Sequence, residues 1–203
     1  MFELIGFLFS VGIISLSGVL MPGPVFAAAV AKGTEHRHAG AWVAVGHIMF
    51  EVPLILLLAT GFSYIFTNFW VRIIIGIVGG PLLLVMGVQM FRFRKDRELV
   101  TRAFPMHPIL AGIITTVSNP YFILWWATIG LLLIVTALTF GWVGIITFII
   151  VHESCDLGWD WVVSYTVNRS QKLWTDKFHA IVFGLCGILL IAFGLYFIFA
   201  FWL

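Results

Sequence analysis

Six long apolar runs govern what this chain can become. They cover about 4–31, 41–62, 69–91, 109–135, 138–166 and 178–203. Each is at least as long as the roughly 18 residues that carry a helix across a bilayer. Together they leave almost no chain for a soluble domain. The balance of residues agrees: 62% are hydrophobic and 10% charged, with mean hydropathy +1.10, against about 25% charged in an ordinary soluble domain. The expectation is an all-α integral membrane protein with six transmembrane helices. The opening "MFEL" carries no basic patch, and no small-residue cleavage site follows, so the first run reads as a span and not as a signal peptide. Cys155 and Cys186 both fall in apolar segments and imply neither a disulfide framework nor a zinc site.

Orientation follows from where the basic residues fall. Alternate connections lie on opposite sides of the membrane. One side receives Lys32, Arg37, Arg92, Arg94, Lys95, Arg97, Arg102, Arg169, Lys172 and Lys177; the other receives only Arg72. Short loops rich in Lys and Arg stay cytoplasmic. The sequence thus predicts a multi-pass protein of the cytoplasmic (inner) membrane with both termini outside. The basic cluster from Arg92 to Arg102 can also meet acidic lipid headgroups. Topology anchoring is the plainer role for it.

The first run contains an obstacle, "LMPGPVF", with Pro22, Gly23 and Pro24 in succession. Proline removes a backbone donor and clashes with the preceding turn, and in hydrocarbon the freed carbonyls find no water. The fourth run has a matching interruption in "SNPYF", at Asn119 and Pro120. The two belong to a wider self-similarity. "GIIS" at Gly12–Ser15 recurs as "GIIT" at Gly112–Thr115, offset by 100. Pro22 and Pro120 are offset by 98, His47/Glu51 and His152/Asp156 by 105, and "GPLLLVMG" (Gly80–Gly87) and "GILLIAFG" (Gly187–Gly194) by 107. Each match is weak in so apolar a chain, but together they keep their order. They divide the chain into a three-helix repeat at 1–92, a cytoplasmic connector at 93–108 and a second three-helix repeat at 109–203. Three spans per half is odd, so the second half enters the membrane upside down. The expected architecture is a 3+3 inverted repeat with broken helices in spans one and four, a common transporter plan. On this reading Pro22, Gly23, Pro24, Asn119 and Pro120 form a substrate site. The plainer reading is two proline kinks satisfied by Ser15, Ser17, Thr115 and Ser118.

Charged residues deep in the spans are the second signal. His47 and Glu51 are four apart in span two, and His152 and Asp156 four apart in span five, with Glu153 between them. Residues four apart share a helix face. Ionisable groups at that depth face protein or a water-filled cavity, and a histidine beside a carboxylate suits proton coupling. His47, Glu51, His152, Glu153 and Asp156 are the candidate coupling residues; the plainer reading is polar pairs that hold helices together. Asp160 continues the face of Glu153 and Asp156 toward the cytoplasmic end, where hydration suffices. Trp125, Trp126, Trp159 and Trp161 fit a substrate path or ordinary packing. His36 and His38 fit a solvated loop better than a metal site. A divalent-metal exporter using the His and carboxylate groups is the alternative function. The membrane zinc-protease pattern fails, because Asp156 stands where "HESCD" would need a second histidine. A thiol relay would need cysteines at the helix breaks. No cofactor, resident metal or nucleic acid is implied; the partners are a small molecule and lipid, and a homodimer is open.

Two stretches carry a family resemblance. "MPGP", followed by "AAAVAKGTEHRHAGAWVAVGH" and an acid in span two, resembles the LysE-type amino-acid exporters (LysE/RhtB). "TTVSNPYFILWW" is similar to that family's second signature, and "HESCDLGWDW" suits its fifth span. The resemblance covers nearly the whole chain. It implies a secondary transporter, not an enzyme, that exports basic or small neutral amino acids and related metabolites, driven by ion gradients. The chain departs from the pattern in one place: Glu51 preceded by Phe50 stands where the family usually has Asp preceded by Gly, which bears on substrate size. The wider superfamily includes metal-ion exporters and thiol-relay proteins.

Overall fold

A computed structural model of the chain describes residues 2–21, 23–62, 105–170 and 175–200, with scattered positions between 77 and 95. Pro22, most of the expected third span and most of the 93–108 connector lie outside the described residues. All regular structure among the described residues is helical, with no strand.

Eight helices are described: α1 (Phe2–Val19), α2 (Pro24–Glu35), α3 (Ala39–Leu57), α4 (Pro108–Val117), α5 (Pro120–Trp125), α6 (Leu131–Leu138), α7 (Gly141–Arg169) and α8 (Asp176–Ala200). A π-helical turn, Leu58–Phe62, extends α3, and another, Trp126–Gly130, links α5 to α6. Four stretches are long and apolar enough to cross a membrane: Phe2–Val19, Ala39–Gly61, Tyr121–Leu138 and Gly141–Arg169. The chain is therefore a multi-pass membrane protein.

The helix boundaries have local causes. Gly23 is extended at the start of α2 and Pro24 takes its first position, where proline's missing N–H costs nothing and its fixed φ already suits a helix. Asn119 caps α5: its side-chain oxygen accepts from Tyr121 N at 3.1 Å, with Pro120 again first in the helix. His107 caps α4 in the same way, accepting from Ile109 N at 3.3 Å. α7 starts behind Gly141, whose φ of 66° is the left-handed conformation that glycine tolerates.

Surfaces and interior are sorted for a bilayer. On α1, Phe2, Ile5, Phe9, Ile13, Leu16 and Leu20 recur at steps of three and four, and all are exposed, which makes a lipid-facing stripe. Trp126, Phe148, Ile134, Ile145 and Ile55 are fully buried instead. Glycines bring backbones together, as expected where helix association rests on close packing. A Cβ on Gly112 would stand 2.0 Å from the Val43 carbonyl oxygen, and one on Gly46 2.0 Å from that of Ile109, so α3 and α4 touch main chain to main chain. Gly40 meets α7 as closely: a Cβ there would stand 1.9 Å from the Asp160 carbonyl oxygen. Gly80 packs on Gly194 and Gly87 on Gly187, where a Cβ on each would stand 2.7–3.1 Å from the other's carbonyl oxygen.

Candidate functional site

α3 and α7 carry the ionisable residues, and their close contact sets those residues face to face. His47, Glu51, His152, Glu153, Asp156 and Asp160 are all buried. His47 Nε2 lies 3.0 Å from Glu51 Oε2 and 3.7 Å from Asp156 Oδ1. His152 Nε2 lies 3.6 Å from Glu51 Oε1 and 3.7 Å from Asp156 Oδ2. The two pairs read from the sequence thus form one cluster in which imidazole and carboxylate alternate. Residues four apart meet as the helical period requires. The cross-contacts arise because α3 and α7 present these faces to each other.

The far side of each imidazole is tied down. His47 Nδ1 is 2.7 Å from Thr116 Oγ1 on α4, and His152 Nδ1 is 2.7 Å from Ser15 Oγ on α1. His152 is also sandwiched between Trp125 and Phe148, stacked at 5.3 and 5.6 Å with tilts of 20° and 19°. Trp126 Nε1 donates to Glu51 Oε1 at 2.8 Å. Other atoms have no aligned hydrogen-bond partner among the described residues: Glu51 Oε2, His152 Nε2, Asp156 Oδ2 and both oxygens of Glu153. Buried polar atoms are normally satisfied by protein or water, so this concentration of exceptions in one place marks a site.

One cavity reaches the cluster. His47, Glu51, His152, Asp156 and Asp160 line it together with Gly23 and Asn119, at the starts of α2 and α5. A Cβ on Gly23 would stand 3.8 Å from Asn119 Nδ2, so the two helix starts adjoin. The structure therefore gathers Gly23, Asn119 and four of the five candidate coupling residues around one space. Pro24 and Glu153 are buried but do not line it.

Several site features escaped the sequence reading. Asp160, read from its spacing onto the face of Glu153 and Asp156 but as hydrated, is buried and lines the cavity. Ser15, assigned to a kink, reaches across to His152. Ser17, Thr115 and Ser118 do bond carbonyls of their own helices, those of Ile14, Ala111 and Ile114 at 2.6, 2.7 and 2.7 Å. Nothing in the sequence distinguished Trp126 from its neighbour Trp125 as the partner of Glu51. Lys32 is also buried, with its ammonium 2.9 Å from the half-exposed Glu35 carboxylate.

Lipid-facing apolar helices around a polar, charge-lined cavity define a class: a multi-pass membrane transporter. The comparisons with known proteins narrow it. The chain belongs to the LysE type translocator family, whose model matches residues 16–200. It is similar to the "Putative amino acid efflux protein YcgF" of Bacillus subtilis (strain 168), 25% identical over 181 residues, which covers 86% of this chain and 87% of that protein. No solved structure matches the chain.

Proposed function

We propose that the chain exports amino acids or related small metabolites across the cytoplasmic membrane as a secondary transporter coupled to an ion gradient. One observation carries the reading: a single cavity joins the start of α2 at Gly23 to the buried cluster of Glu51, Asp156 and Asp160. A free amino acid needs both kinds of contact. The first N–H groups of a helix lack intrahelical partners and carry the positive end of its dipole, which suits a carboxylate. The acidic wall suits the ammonium. The description of the Bacillus subtilis relative as an amino acid efflux protein supports the same substrate class.

His47, Glu51, His152, Glu153 and Asp156 are the proposed coupling residues, and Gly23, Asn119 and the flanking prolines Pro22, Pro24 and Pro120 the proposed substrate-binding breaks. The inverted repeat supplies the frame. If residues 1–92 and 109–203 are related by an offset of 107 in their last spans, Gly80 matches Gly187 and Gly87 matches Gly194. A two-fold relation then requires that a contact of Gly80 with Gly194 be repeated as Gly87 with Gly187, and both approaches occur. Hydroxyl–imidazole bonds also run both ways between the halves, although Ser15 matches Thr115 and its neighbour Thr116 makes the second bond. Ser15 of the first half holds His152 of the second, while Thr116 of the second holds His47 of the first.

The test is efflux from proteoliposomes loaded with labelled amino acids under an imposed ion gradient. Failure to move any of the twenty amino acids or their close derivatives would sink the reading. The proposed orientation has its own measurement. In a Cys155→Ala, Cys186→Ala background, an impermeant thiol reagent should label Thr139→Cys on intact cells and spare Thr175→Cys. The opposite pattern would invert the topology.

A further inference from the structure

We propose that the cluster of His47, Glu51, His152 and Asp156 binds a divalent transition-metal ion of the Zn2+ class, and that the bound ion blocks export. The metal site stands on the side chains alone; the block rests on the transport reading above.

Three of the side chains are close enough to share one ion. One ligand atom from each of His47, Glu51 and Asp156 falls within 4.8 Å of the others. His152 Nε2 adjoins this set and closes a ring with it, 3.6 Å from Glu51 Oε1 and 3.7 Å from Asp156 Oδ2. Zinc holds nitrogen and oxygen ligands at about 2.0–2.2 Å in a tetrahedron, which sets neighbouring ligands roughly 3.3 Å apart. The four nitrogen–oxygen separations here run from 3.0 to 3.7 Å, each carboxylate facing His47 with one oxygen and His152 with the other.

The ligands are also oriented for it. Metal-binding histidines normally fix their second ring nitrogen in an outer hydrogen bond, which aims the first at the ion. Both imidazoles here have that bond, to Thr116 and to Ser15. For His47 the tautomer follows. Thr116 has one hydroxyl hydrogen, and it donates to the Gly112 carbonyl at 2.7 Å. Thr116 Oγ1 therefore accepts from Nδ1–H, and Nε2 is the nitrogen that faces Glu51 and Asp156. A ring nitrogen set against two carboxylates calls for a positive charge there, which a proton or a metal ion can supply. Three of the atoms left without aligned partners, Glu51 Oε2, His152 Nε2 and Asp156 Oδ2, belong to this ring, and their residues are more than nine-tenths buried.

The donor set selects the metal class. Two imidazole nitrogens with carboxylate oxygens suit zinc and its first-row neighbours; Ca2+ and Mg2+ prefer oxygen alone. An ion held here would occupy the acidic wall that the exported ammonium needs, so it should act as a blocker.

The experiment uses the full chain purified without a histidine tag, in detergent or nanodiscs. Titration with Zn2+ should show one ion per chain and a saturable rise in melting temperature. Co2+ in the wild-type protein should give the intense visible absorption of a four-coordinate centre, a readout that needs no variant. Glu51→Gln, Asp156→Asn and His152→Gln should each weaken Zn2+ at least about tenfold, and Thr116→Val should do so through the outer bond, about 10–100-fold. His38→Gln, in the exposed loop, should leave binding unchanged. No saturable binding, or equal affinity in every ring variant, would overturn the site. A six-coordinate Co2+ spectrum would overturn the proposed ring. Zn2+ carried into vesicles would make it cargo and overturn the block. If Zn2+ binds but no amino acid is ever transported, the exporter reading fails and the metal site stands.

Discussion

Trp126 and Glu51, 75 residues apart, meet at 2.8 Å, with the indole N–H donating to a carboxylate oxygen that has almost no access to solvent. The bond crosses from the π-helical turn after α5 to the middle of α3. It holds the Glu51 carboxyl beside both imidazoles, so it positions the acid that the cavity depends on.

Trp126→Phe tests that role. Phenylalanine keeps most of the buried ring but has no donor. Leaving a buried charged acceptor with one partner fewer should cost about 1–3 kcal/mol, read as a lower melting temperature in detergent. Export should fall further than stability does, because Glu51 gains freedom to rotate. Trp125→Phe, which removes no bond to Glu51, is the comparison. Equal export by the two variants would remove Trp126 from the site.

Glycine contacts give a sharper structural forecast. Gly112→Ala would place a methyl group 2.0 Å from the Val43 carbonyl oxygen, which belongs to a buried backbone with nowhere to move. α3 and α4 must separate, and overpacking of this kind costs about 1–3 kcal/mol or more. Because α3 carries His47 and Glu51, the cluster should loosen as well. Gly158→Ala makes the contrast. Nothing lies within 4 Å of its Cβ, and alanine is the better helix former by up to about 1 kcal/mol. Thermal unfolding should rank Gly158→Ala at or above wild type and Gly112→Ala well below it. The reverse order would contradict the packing of α3 on α4.

The same contacts show how much of the molecule was legible in advance. Helical spans, the starts of α2 and α5, and the four-residue pairs His47/Glu51 and His152/Asp156 were readable, because hydrophobic run length, proline chemistry and the helical period are local properties. Which helix faces meet is not local. It depends on small residues that allow α3, α4 and α7 to approach, and glycine at Gly46 or Gly40 looks no different in sequence from glycine at Gly158. For that reason Trp126 could not be assigned to Glu51, nor Ser15 to His152. Asp160 could be placed on the face of Asp156, but its burial follows only from the close approach of Gly40 to α7.

Asn119 should separate local capping from substrate binding. Asn119→Ala removes the acceptor that holds Tyr121 N and should cost about 1 kcal/mol of stability. Asn119→Asp restores a capping oxygen but places a negative charge at the proposed carboxylate position. If Asn119 only caps the helix, the aspartate variant should transport normally. If it lines the substrate site, Asn119→Asp should regain stability and still export poorly. Replacing Pro22 and Pro24 together by alanine complements this test, since it favours a continuous helix without adding charge. A well-folded double variant with undiminished export would reduce that break to packing.

Coupling is the most demanding prediction. Glu51→Gln and Asp156→Asn keep the approximate shape and hydrogen-bonding capacity of each side chain and remove its ionisable group. If these carboxyls bind the driving ion, each variant should lose gradient-driven accumulation in proteoliposomes, because the ion can no longer be exchanged for substrate. Exchange of labelled for unlabelled substrate across the membrane has no net ion requirement, so it should persist at a measurable fraction of the wild-type rate. The two assays must therefore be run on the same vesicles. Loss of both activities together would point to a collapsed cavity, which the melting temperature would reveal. Full gradient-driven accumulation by both amide variants would show that these carboxyls do not couple transport, and would leave Glu153 and Asp160 as the remaining buried acids among the described residues to test.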